Sequence, residues 1–341
     1  MTHRFPLKEI ARQSGLSTAT IDRALNNRLH VSPQTKSRVA AAIKELENQE
    51  VHFAAKGRRL FFDFVIEAPK RFSREVQRAA EDTIGQLAGA VCRPRFTCQD
   101  IMSEEDVIQI LERIAKRGSH GVCLKVRDVS SIRNAVEKLA ATGIPVVTLV
   151  TDIQSPSRLA YVGLDNFSAG RTAAYLIAKS LGDTGGTILA TRSSDLFLGE
   201  EEREAAFVQS MQHLCPNLNI VPMSGGAGVH YETTYVMERV VPQLSKLRAV
   251  YSMGGGNRTI LDILQHNRLQ PDLFIAHDLD QDNRALIQSG KIDFVLHHDL
   301  SVDLKNIFQV FLHHHKLAQQ IPPNCISNIQ IISPENIPHL I

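Results

Sequence analysis

No long apolar segment and no paired-cysteine motif occurs in this sequence. None of its apolar runs reaches about 18 residues, so no membrane-spanning helix is expected. The opening stretch MTHRFPLKEIARQSG is charged and lacks the apolar core of a signal peptide, so we expect a cytoplasmic protein. The five scattered cysteines, without a C-x-x-C pair, are predicted to be reduced thiols.

The positive charge is concentrated at the front of the chain. Residues 1–60 contain eleven Lys and Arg against five Asp and Glu, whereas the remaining residues are slightly acidic. Such a distribution is typical of a domain that binds nucleic-acid phosphates, because neutralising them releases counterions. A solvated basic face would look the same, so charge alone does not decide the function. With 341 residues, 43% of them apolar, the chain can form two or three packed domains.

Three short helices are predicted within the first fifty residues. The first ends near Gly15, and Ser17 is a suitable N-cap for the second. Ser32 and Pro33 begin the third, whose inward-facing residues extend to Leu46. The apolar spacing turns these residues toward a common core: Leu7, Ile10, Ala11, Ile21, Ala24, Leu25, Val39, Ala42, Ile43 and Leu46.

Two short helices joined by a glycine turn and closed by a third form a helix-turn-helix arrangement. The stretch LKEIARQSGLSTATIDRALNNRLHVSPQTKSRVAAAIKEL closely resembles the amino-terminal domain of the lactose-repressor (LacI-type) family. The resemblance implies a sequence-specific transcription regulator of a catabolic or transport operon, with repression as the default sign. The alternative is a three-helix protein-interaction module.

The family resemblance also implies which residues contact DNA. Thr18, Ala19 and Arg23 would face base edges, and a guanidinium such as that of Arg23 can bond guanine O6 and N7 together. Leu7 would lie near the groove, and Thr20 faces outward on the same helix. The positions that match phosphate contacts in the family are Ser17, Asn26, His30, Ser32 and Thr35.

Two departures from the family pattern affect the DNA contacts. Asp22 stands where the family often has serine, and its carboxylate should repel phosphate unless it accepts from cytosine N4 or pairs with Arg23. Residues 51–60 lack the family's Tyr-x-Pro-Asn phrase and a clear wedge leucine. Residues 54–56 could form one helical turn before Gly57, but the segment is interpreted primarily as a linker.

Beyond residue 60 the pattern alternates between strands and helices. Buried parallel strands are predicted at 61–68, 92–100, 121–126, 144–150, 185–192, 219–224, 248–253, 273–278 and 292–298. Amphipathic helices are predicted near 72–88, 103–117, 129–142, 200–213, 231–244, 257–266, 281–289 and 301–315. We therefore expect an all-α helix-turn-helix head (1–50) followed by an α/β domain (61–341) of two doubly wound lobes. The predicted lobes are 61–160 with 292–325, and 161–290 with 326–341.

This second part resembles the periplasmic-binding-protein-like sensor of the same family, most clearly in YVGLDNFSAG at 161–170. Ligands in such sheets bind beyond the carboxyl ends of the strands. Together with the resemblance, that rule gives a set of candidate effector-binding residues. They are Glu67, Phe72, Lys125, Arg127, Asp152, Asp165, Asn166, Arg192, Phe197, Arg203, Asn257, Asp278 and His298.

Carboxylates, amides and guanidinium groups around aromatic faces suit a sugar, a polyol or a sugar-like acid. No cofactor or metal is expected, because Gly254, Gly255 and Gly256 lack a following G-K-[ST] and consecutive histidines at 313–315 cannot converge on one ion from a helix. No catalytic grouping stands out, so the chain is predicted not to be an enzyme. A solute receptor is the competing hypothesis, but it requires export. A homodimer or tetramer on double-stranded operator DNA is expected, since two heads read a pseudo-palindrome.

Overall fold

A computed structural model of the chain describes residues 5–26, 28, 31–55, 59–87, 90–318 and 325–338. The helices within these ranges are α1 (Leu7–Ser14), α2 (Thr18–Leu25), α3 (Pro33–Ala55), α4 (Lys70–Ile84), α5 (Glu104–Arg117), α6 (Ser130–Ala141), α7 (Asn166–Leu181), α8 (Leu198–Leu214), α9 (His230–Val240), α10 (Asn257–His266), α11 (Gln281–Gln288) and α12 (Leu300–His314). The strands are β1 (Arg59–Glu67), β2 (Val91–Gln99), β3 (Gly121–Lys125), β4 (Val146–Leu149), β5 (Ala160–Leu164), β6 (Gly186–Arg192), β7 (Leu218–Ser224), β8 (Leu247–Ser252), β9 (Leu273–His277), β10 (Phe294–His297), β11 (Ile326–Ser327) and β12 (Gln330–Ile332).

The head is a three-helix unit with its own small core. Gly15 ends α1 in the left-handed region at φ 64°, which glycine adopts without strain. The Ser17 hydroxyl accepts the Thr20 N–H and so caps α2. Ile10, Ile21 and Val39 are buried where the three helices meet. The head is therefore packed independently of the larger α/β part.

The third helix extends into the predicted linker, 51–60. It continues to Ala55, because residues 47–55 contain neither proline nor glycine and the helix has no local stop signal. Ala54 and Ala55 thus continue α3 and do not start a separate helical turn. Residues 56–58 of the predicted linker lie outside the described residues.

Two six-stranded sheets form the larger part of the molecule. The strand order is β11-β5-β4-β3-β1-β2 in the first and β12-β10-β9-β8-β6-β7 in the second. All pairings are parallel except that of β10 with β12, which is antiparallel. Both sheets are covered on both faces, which explains why their strands are continuous apolar runs. The predicted two-lobed, doubly wound architecture is confirmed.

The sheets shift each predicted lobe boundary by a few residues. β5 and β11 belong to the first sheet, whereas β10 belongs to the second. The chain therefore passes between lobes after Leu164, between β10 and α12, and between β11 and β12. Local periodicity does not assign each strand to its sheet at this precision, because the neighbour with which a strand pairs is far away in sequence. The sequence also gave no indication that α7 extends to Leu181 or that β11 and β12 exist.

Helices α4 and α12 cover one face of the first sheet, where Phe62 lies 4.9 Å from Phe311 between ring centroids. Helices α5 and α6 pack together on the other face. No helix in the part of the chain described is long and apolar enough to cross a membrane.

Candidate DNA-binding surface and interlobe cleft

Helix α2 presents an exposed polar face at the surface of the head. Thr18, Ala19 and Arg23 are exposed, and the Arg23 Nε donates to the Ala19 carbonyl oxygen at 3.3 Å. Thr20 is half-buried, and its hydroxyl lies 2.8 Å from that of Ser17. Ile21 on the opposite face of the helix is fully buried. The helix is thus anchored through one side and offers the other to a partner.

Asp22, the acidic residue of α2, is paired with two residues that follow the helix. Asp22 lies 3.3 Å from a nitrogen of Arg28 and accepts a hydrogen bond from Asn26 Nδ2 at 2.8 Å. The predicted alternative in which Asp22 pairs with Arg23 is therefore not observed, because the Arg23 guanidinium turns back to Ala19. Asn26 can reach a phosphate only by giving up its bonds to Asp22.

The other predicted DNA contacts flank α2. Ser32 caps α3 by accepting the Thr35 N–H at 3.1 Å, and both residues lie near the start of that helix. Leu7 is half-buried and packs against the core of the head. His30 lies outside the described residues.

A cleft with a volume of about 330 Å³ lies between the two lobes. It is lined by residues that follow the carboxyl ends of strands in both sheets, as expected for parallel α/β sheets. Seven of the predicted effector-binding residues line it: Glu67, Phe72, Lys125, Arg127, Phe197, Arg203 and Asp278.

The first lobe contributes an ion pair and a lysine to the cleft. Arg127 forms two bonds to the buried Glu67 carboxylate, each 3.0 Å long. The Lys125 ammonium donates to the Glu67 carbonyl oxygen at 3.0 Å and lies 4.3 Å from the ring centroid of Phe197 and 5.6 Å from that of Phe72. Burial lowers the pKa of Lys125, although the charges of Glu200 and Glu67 oppose this effect. Lys125 is therefore held between two aromatic faces.

Arg203 is the arginine of the second lobe that faces the cleft. It is 2% exposed, and its Nε donates to Asn166 Oδ1 at 2.7 Å while Nη1 donates to the Met253 carbonyl oxygen at 3.0 Å. Asn166 lies at the start of α7, so α7 helps to hold the Arg203 guanidinium in place. Glu200, one turn earlier on α8, accepts from the N–H and hydroxyl of Ser193, both at 2.6 Å.

A buried charged cluster connects the cleft to the crossings between lobes. His298 is fully buried, with Nδ1 2.5 Å from Asp303 and Nε2 3.4 Å from Asp278. Burial alone would lower the pKa of His298, but Asp278 and Asp303 outweigh it and raise the pKa to about 10. Burial alone would raise the pKa of Asp278, yet His298 and Arg203 hold it well below its ordinary value. His298 is thus an imidazolium between two carboxylates.

Asp278 is held in a left-handed conformation at the mouth of this cluster. Its φ is 62°, and Asn283 Nδ2 bonds the carbonyl oxygens of His277 and Asp278 at 2.8 and 2.7 Å. The neighbouring His277 ring lies 2.9 Å from the Tyr251 hydroxyl through Nε2, while its buried Nδ1 has no protein partner. Burial, followed by the charge of Arg203, lowers the pKa of His277 well below 6.5, so the ring is neutral.

One arginine bridges the lobes across the cleft. Arg71, at the start of α4, contacts Asp280 of the second lobe at 2.7 Å and the Gly228 carbonyl oxygen at 3.1 Å. The Asp128 N–H also donates to the Leu196 carbonyl oxygen at 3.0 Å. These bonds join the two lobes directly.

Six predicted effector residues do not line the cleft in this structure. Asn166 contacts Arg203, and His298 contacts Asp278, so both position residues that line the cleft. Asp152 pairs with Arg158, Asp165 caps α7, Arg192 pairs with Asp195 and Glu204, and Asn257 bonds Asn283. These residues follow strands or begin helices, as the sequence indicated. Their side chains, however, point away from the cleft and bond other groups of the protein.

Sequence reasoning missed several residues that line the cleft. Arg71, Glu200 and Asp280 lie at helix starts, and His277 ends a strand. The rule that ligands meet strand ends could have identified Asp280, two residues after Asp278. Gly254 and Gly255 also line the cleft. Within the described ranges, no group of three or more His, Cys, Asp or Glu side chains could hold a metal ion.

Comparison with known families decides the identity of both parts. The family model described as bacterial regulatory proteins, lacI family, matches residues 6–49, and that described as periplasmic binding protein domain matches residues 71–301. The chain belongs to the lacI family of bacterial regulatory proteins. This LacI-type protein is a DNA-binding regulator with a periplasmic-binding-protein domain. A comparison with curated protein sequences gives no match.

Solved structures show the same fold as the larger part of this LacI-type protein. GanP, a glucose-galactose binding protein from Geobacillus stearothermophilus, is 17% identical with a TM-score of 0.72, over 83% of this chain and all of its own. A putative LacI transcriptional regulator from Bacteroides fragilis is also 17% identical, with a TM-score of 0.72 over 82% of this chain and 98% of its own. A Burkholderia graminis solute binding protein in complex with D-arabinose is 17% identical, with a TM-score of 0.70 over 81% and 96%.

Proposed function

We propose that this LacI-type regulator acts in the cytoplasm as a homodimer that represses an operon through a pseudo-palindromic operator. The observation that carries the proposal is the free polar face of α2, with Thr18, Ala19 and Arg23 exposed above a closed three-helix core. Phosphate contacts by Ser17, Asn26, His30, Ser32 and Thr35, with Leu7 and Thr20 beside the groove, would position the helix, and Arg23 would read guanine.

The effector is a small hydroxylated molecule in the interlobe cleft. The cleft provides donors and acceptors for several hydroxyl groups: carboxylates, the Arg203 guanidinium and the Nδ1 of His277, which has no protein partner. Phe197 offers an apolar face. Proteins of the same fold bind glucose, galactose or arabinose according to their descriptions, which supports a sugar, polyol or sugar-like acid here.

The effector acts by favouring the closed arrangement of the lobes. Arg71 and Asp280 close one side of the cleft, so a ligand that bridges the lobes stabilises the same state as this ion pair. Operator affinity changes by the ratio of the effector's affinities for the two arrangements.

A gel-shift titration at controlled salt tests the DNA half of the proposal. The full-length protein is titrated on DNA upstream of its own gene cluster and on a shuffled duplex. Arg23→Ala should weaken specific binding about 5- to 150-fold, corresponding to about 1–3 kcal/mol, and change non-specific binding much less. Lys44→Ala, an exposed cation on α3, is the matched control. Unchanged specific binding by the Arg23 variant removes its reading role, and a protein that prefers no duplex favours the solute-receptor hypothesis.

A further inference from the structure

Arg71 lies between the interlobe cleft and a second cavity, which we call the side cavity. Arg71 and Asn283 line both cavities, and of two consecutive glycines Gly255 lines the cleft and Gly256 the side cavity. The two cavities are therefore neighbours with a shared wall. The side cavity has a volume of about 350 Å³ and is lined in the second lobe by residues at the starts of α9, α10 and α11, among them His230, Asn257 and Asp282.

Three contacts hold the Arg71 guanidinium in the shared wall. Its Nε donates to Asp280 at 2.7 Å, and its Nη1 donates to the Gly228 carbonyl oxygen at 3.1 Å. A Cβ atom on Gly228 or Gly255 would lie 2.9 or 2.6 Å from Nη2, so the lack of a side chain at both positions makes room for the guanidinium. Asp280 is itself buried and caps α11 by accepting the Asn283 N–H at 2.8 Å. Arg71 is therefore a fixed part of the wall.

The side cavity contains groups that can bind hydroxyls. Asn257 is 3% exposed, and its Nδ2 donates to Asn283 Oδ1 at 2.7 Å, while its buried Oδ1 has no partner among the described residues. This orientation of the amide is fixed, because Asn283 Nδ2 already donates to two backbone carbonyl oxygens and its Oδ1 must accept. His230 Nδ1 lies 2.8 Å from the Thr259 hydroxyl. A ligand hydroxyl that donates to Asn257 Oδ1 would satisfy this buried atom, so the side cavity suits a sugar unit.

We propose that Arg71 determines the length of the effector by separating the side cavity from the cleft, an inference that rests on the proposed function. The cleft, at about 330 Å³, is at the small end of the range of ligand pockets and suits one sugar unit. The Arg71 guanidinium excludes a second unit, because a longer ligand would have to pass through the wall that this side chain fills. Without the side chain, the two cavities join, and the second unit of a disaccharide lies beside Asn257 and His230.

Calorimetry of the full-length protein with one-unit and two-unit ligands tests the length limit. Each one-unit ligand is compared with two-unit ligands that contain it: glucose with maltose and cellobiose, galactose with lactose and melibiose, arabinose with arabinobiose, glucitol with maltitol, and glucuronate with cellobiouronate. At least one one-unit ligand should bind about 30-fold or more tightly than its two-unit counterparts. A two-unit ligand that binds as tightly as its one-unit counterpart overturns this inference but leaves the sensor function intact. Failure of every compound to bind overturns the proposed effector class and the inference together.

Two substitutions at position 71 separate the volume of the side chain from its bonds. Arg71→Ala removes both, so it should bind at least one two-unit ligand about tenfold or more tightly than wild type does, while one-unit ligands bind more weakly. Arg71→Met is the matched control, because it loses the bonds to Asp280 and Gly228 but keeps a long side chain in the wall. It should also weaken one-unit binding, but its gain for two-unit ligands should be less than about threefold.

A second substitution tests where the additional unit lies. Adding His230→Ala to Arg71→Ala should reduce the gain by about threefold or more, because the second unit loses a partner in the side cavity. Retained operator binding shows that the variants are folded, and Arg71→Ser replaces Arg71→Ala if the latter does not fold. No gain in the shortened variant, an equal gain in Arg71→Met, or a gain that His230→Ala leaves unchanged contradicts the assignment.

Discussion

Replacing His298 by glutamine removes the positive charge from the buried cluster behind the cleft. His298 is fully buried between Asp278 and Asp303, and the Ser327 hydroxyl bonds the second of these carboxylates. Glutamine can still donate one hydrogen bond but carries no charge. Two carboxylates would then face each other across a neutral side chain, close to the crossings between the lobes.

The size of the effect follows in two ways. A pKa raised from 6.5 to about 10 corresponds to about 5 kcal/mol of stabilisation when the histidine is fully protonated. Removing one member of a buried ion cluster typically costs about 3–5 kcal/mol. We therefore expect His298→Gln to lower the free energy of unfolding of the α/β domain by about 3–5 kcal/mol at pH 7.

The same charge predicts how stability depends on pH. Because the pKa of His298 is higher in the folded state, its contribution is complete below pH 6.5 and is lost as the pH rises through about 10. The difference in unfolding free energy between wild type and His298→Gln should therefore shrink by about 3 kcal/mol from pH 7 to pH 9.5. Urea unfolding followed by circular dichroism at both pH values measures this difference.

The adjacent histidine is a matched control. Burial, followed by the charge of His298, lowers the pKa of His297 to about 4, so this ring is neutral and accepts one bond from the Leu279 N–H at 3.3 Å. His297→Gln should cost only about 1 kcal/mol and leave the slope between pH 7 and 9.5 unchanged. If His298→Gln costs no more than His297→Gln, or its cost does not change with pH, the imidazolium assignment is wrong.

Three further predictions concern the head, the closure of the lobes and the packing behind the cleft. Ile21→Ala should destabilise the head by about 2–5 kcal/mol and abolish operator binding in a gel shift, while the thermal transition of the α/β domain stays unchanged. A shift in that transition would contradict the independent packing of the head. Arg71→Met should weaken effector binding about 10- to 100-fold in calorimetry through loss of its bonds to Asp280 and the Gly228 carbonyl, and unchanged affinity would mean that this contact does not stabilise closure. Gly170→Ala should lower the free energy of unfolding, measured in urea, by about 1–3 kcal/mol, because the added methyl group would meet the backbone of α8 at Arg203. An unchanged free energy of unfolding would mean that α7 and α8 can move apart at this point without cost.

The head was predictable because its signals are local. Glycine at the end of α1, serine before α2 and Ser32 with Pro33 before α3 specify boundaries through capping chemistry within a few residues. The family pattern did not indicate where α3 ends, although residues 47–55 contain no proline or glycine that would stop the helix.

The cleft was only partly predictable, because position after a strand does not specify where a side chain points. Asp278 and Asp152 both follow a strand in the sequence. Asp278 faces the cleft, whereas Asp152 turns to Arg158 and Thr148. The sequence did not indicate that Arg71 lines the cleft, because its partner Asp280 lies 209 residues away in the chain.

By itself the sequence determined the helix-turn-helix head, the alternation of strands and helices, and the residues that lie near strand ends. These features depend on periodicity, capping and turn chemistry, which act over a few residues. Only the tertiary structure decided that β5 and β11 join one sheet and β10 the other, and that His298 stands behind Asp278 without lining the cleft. Strand pairing and the neutralisation of buried charge depend on groups far apart in the chain, so the folded molecule alone brings them together.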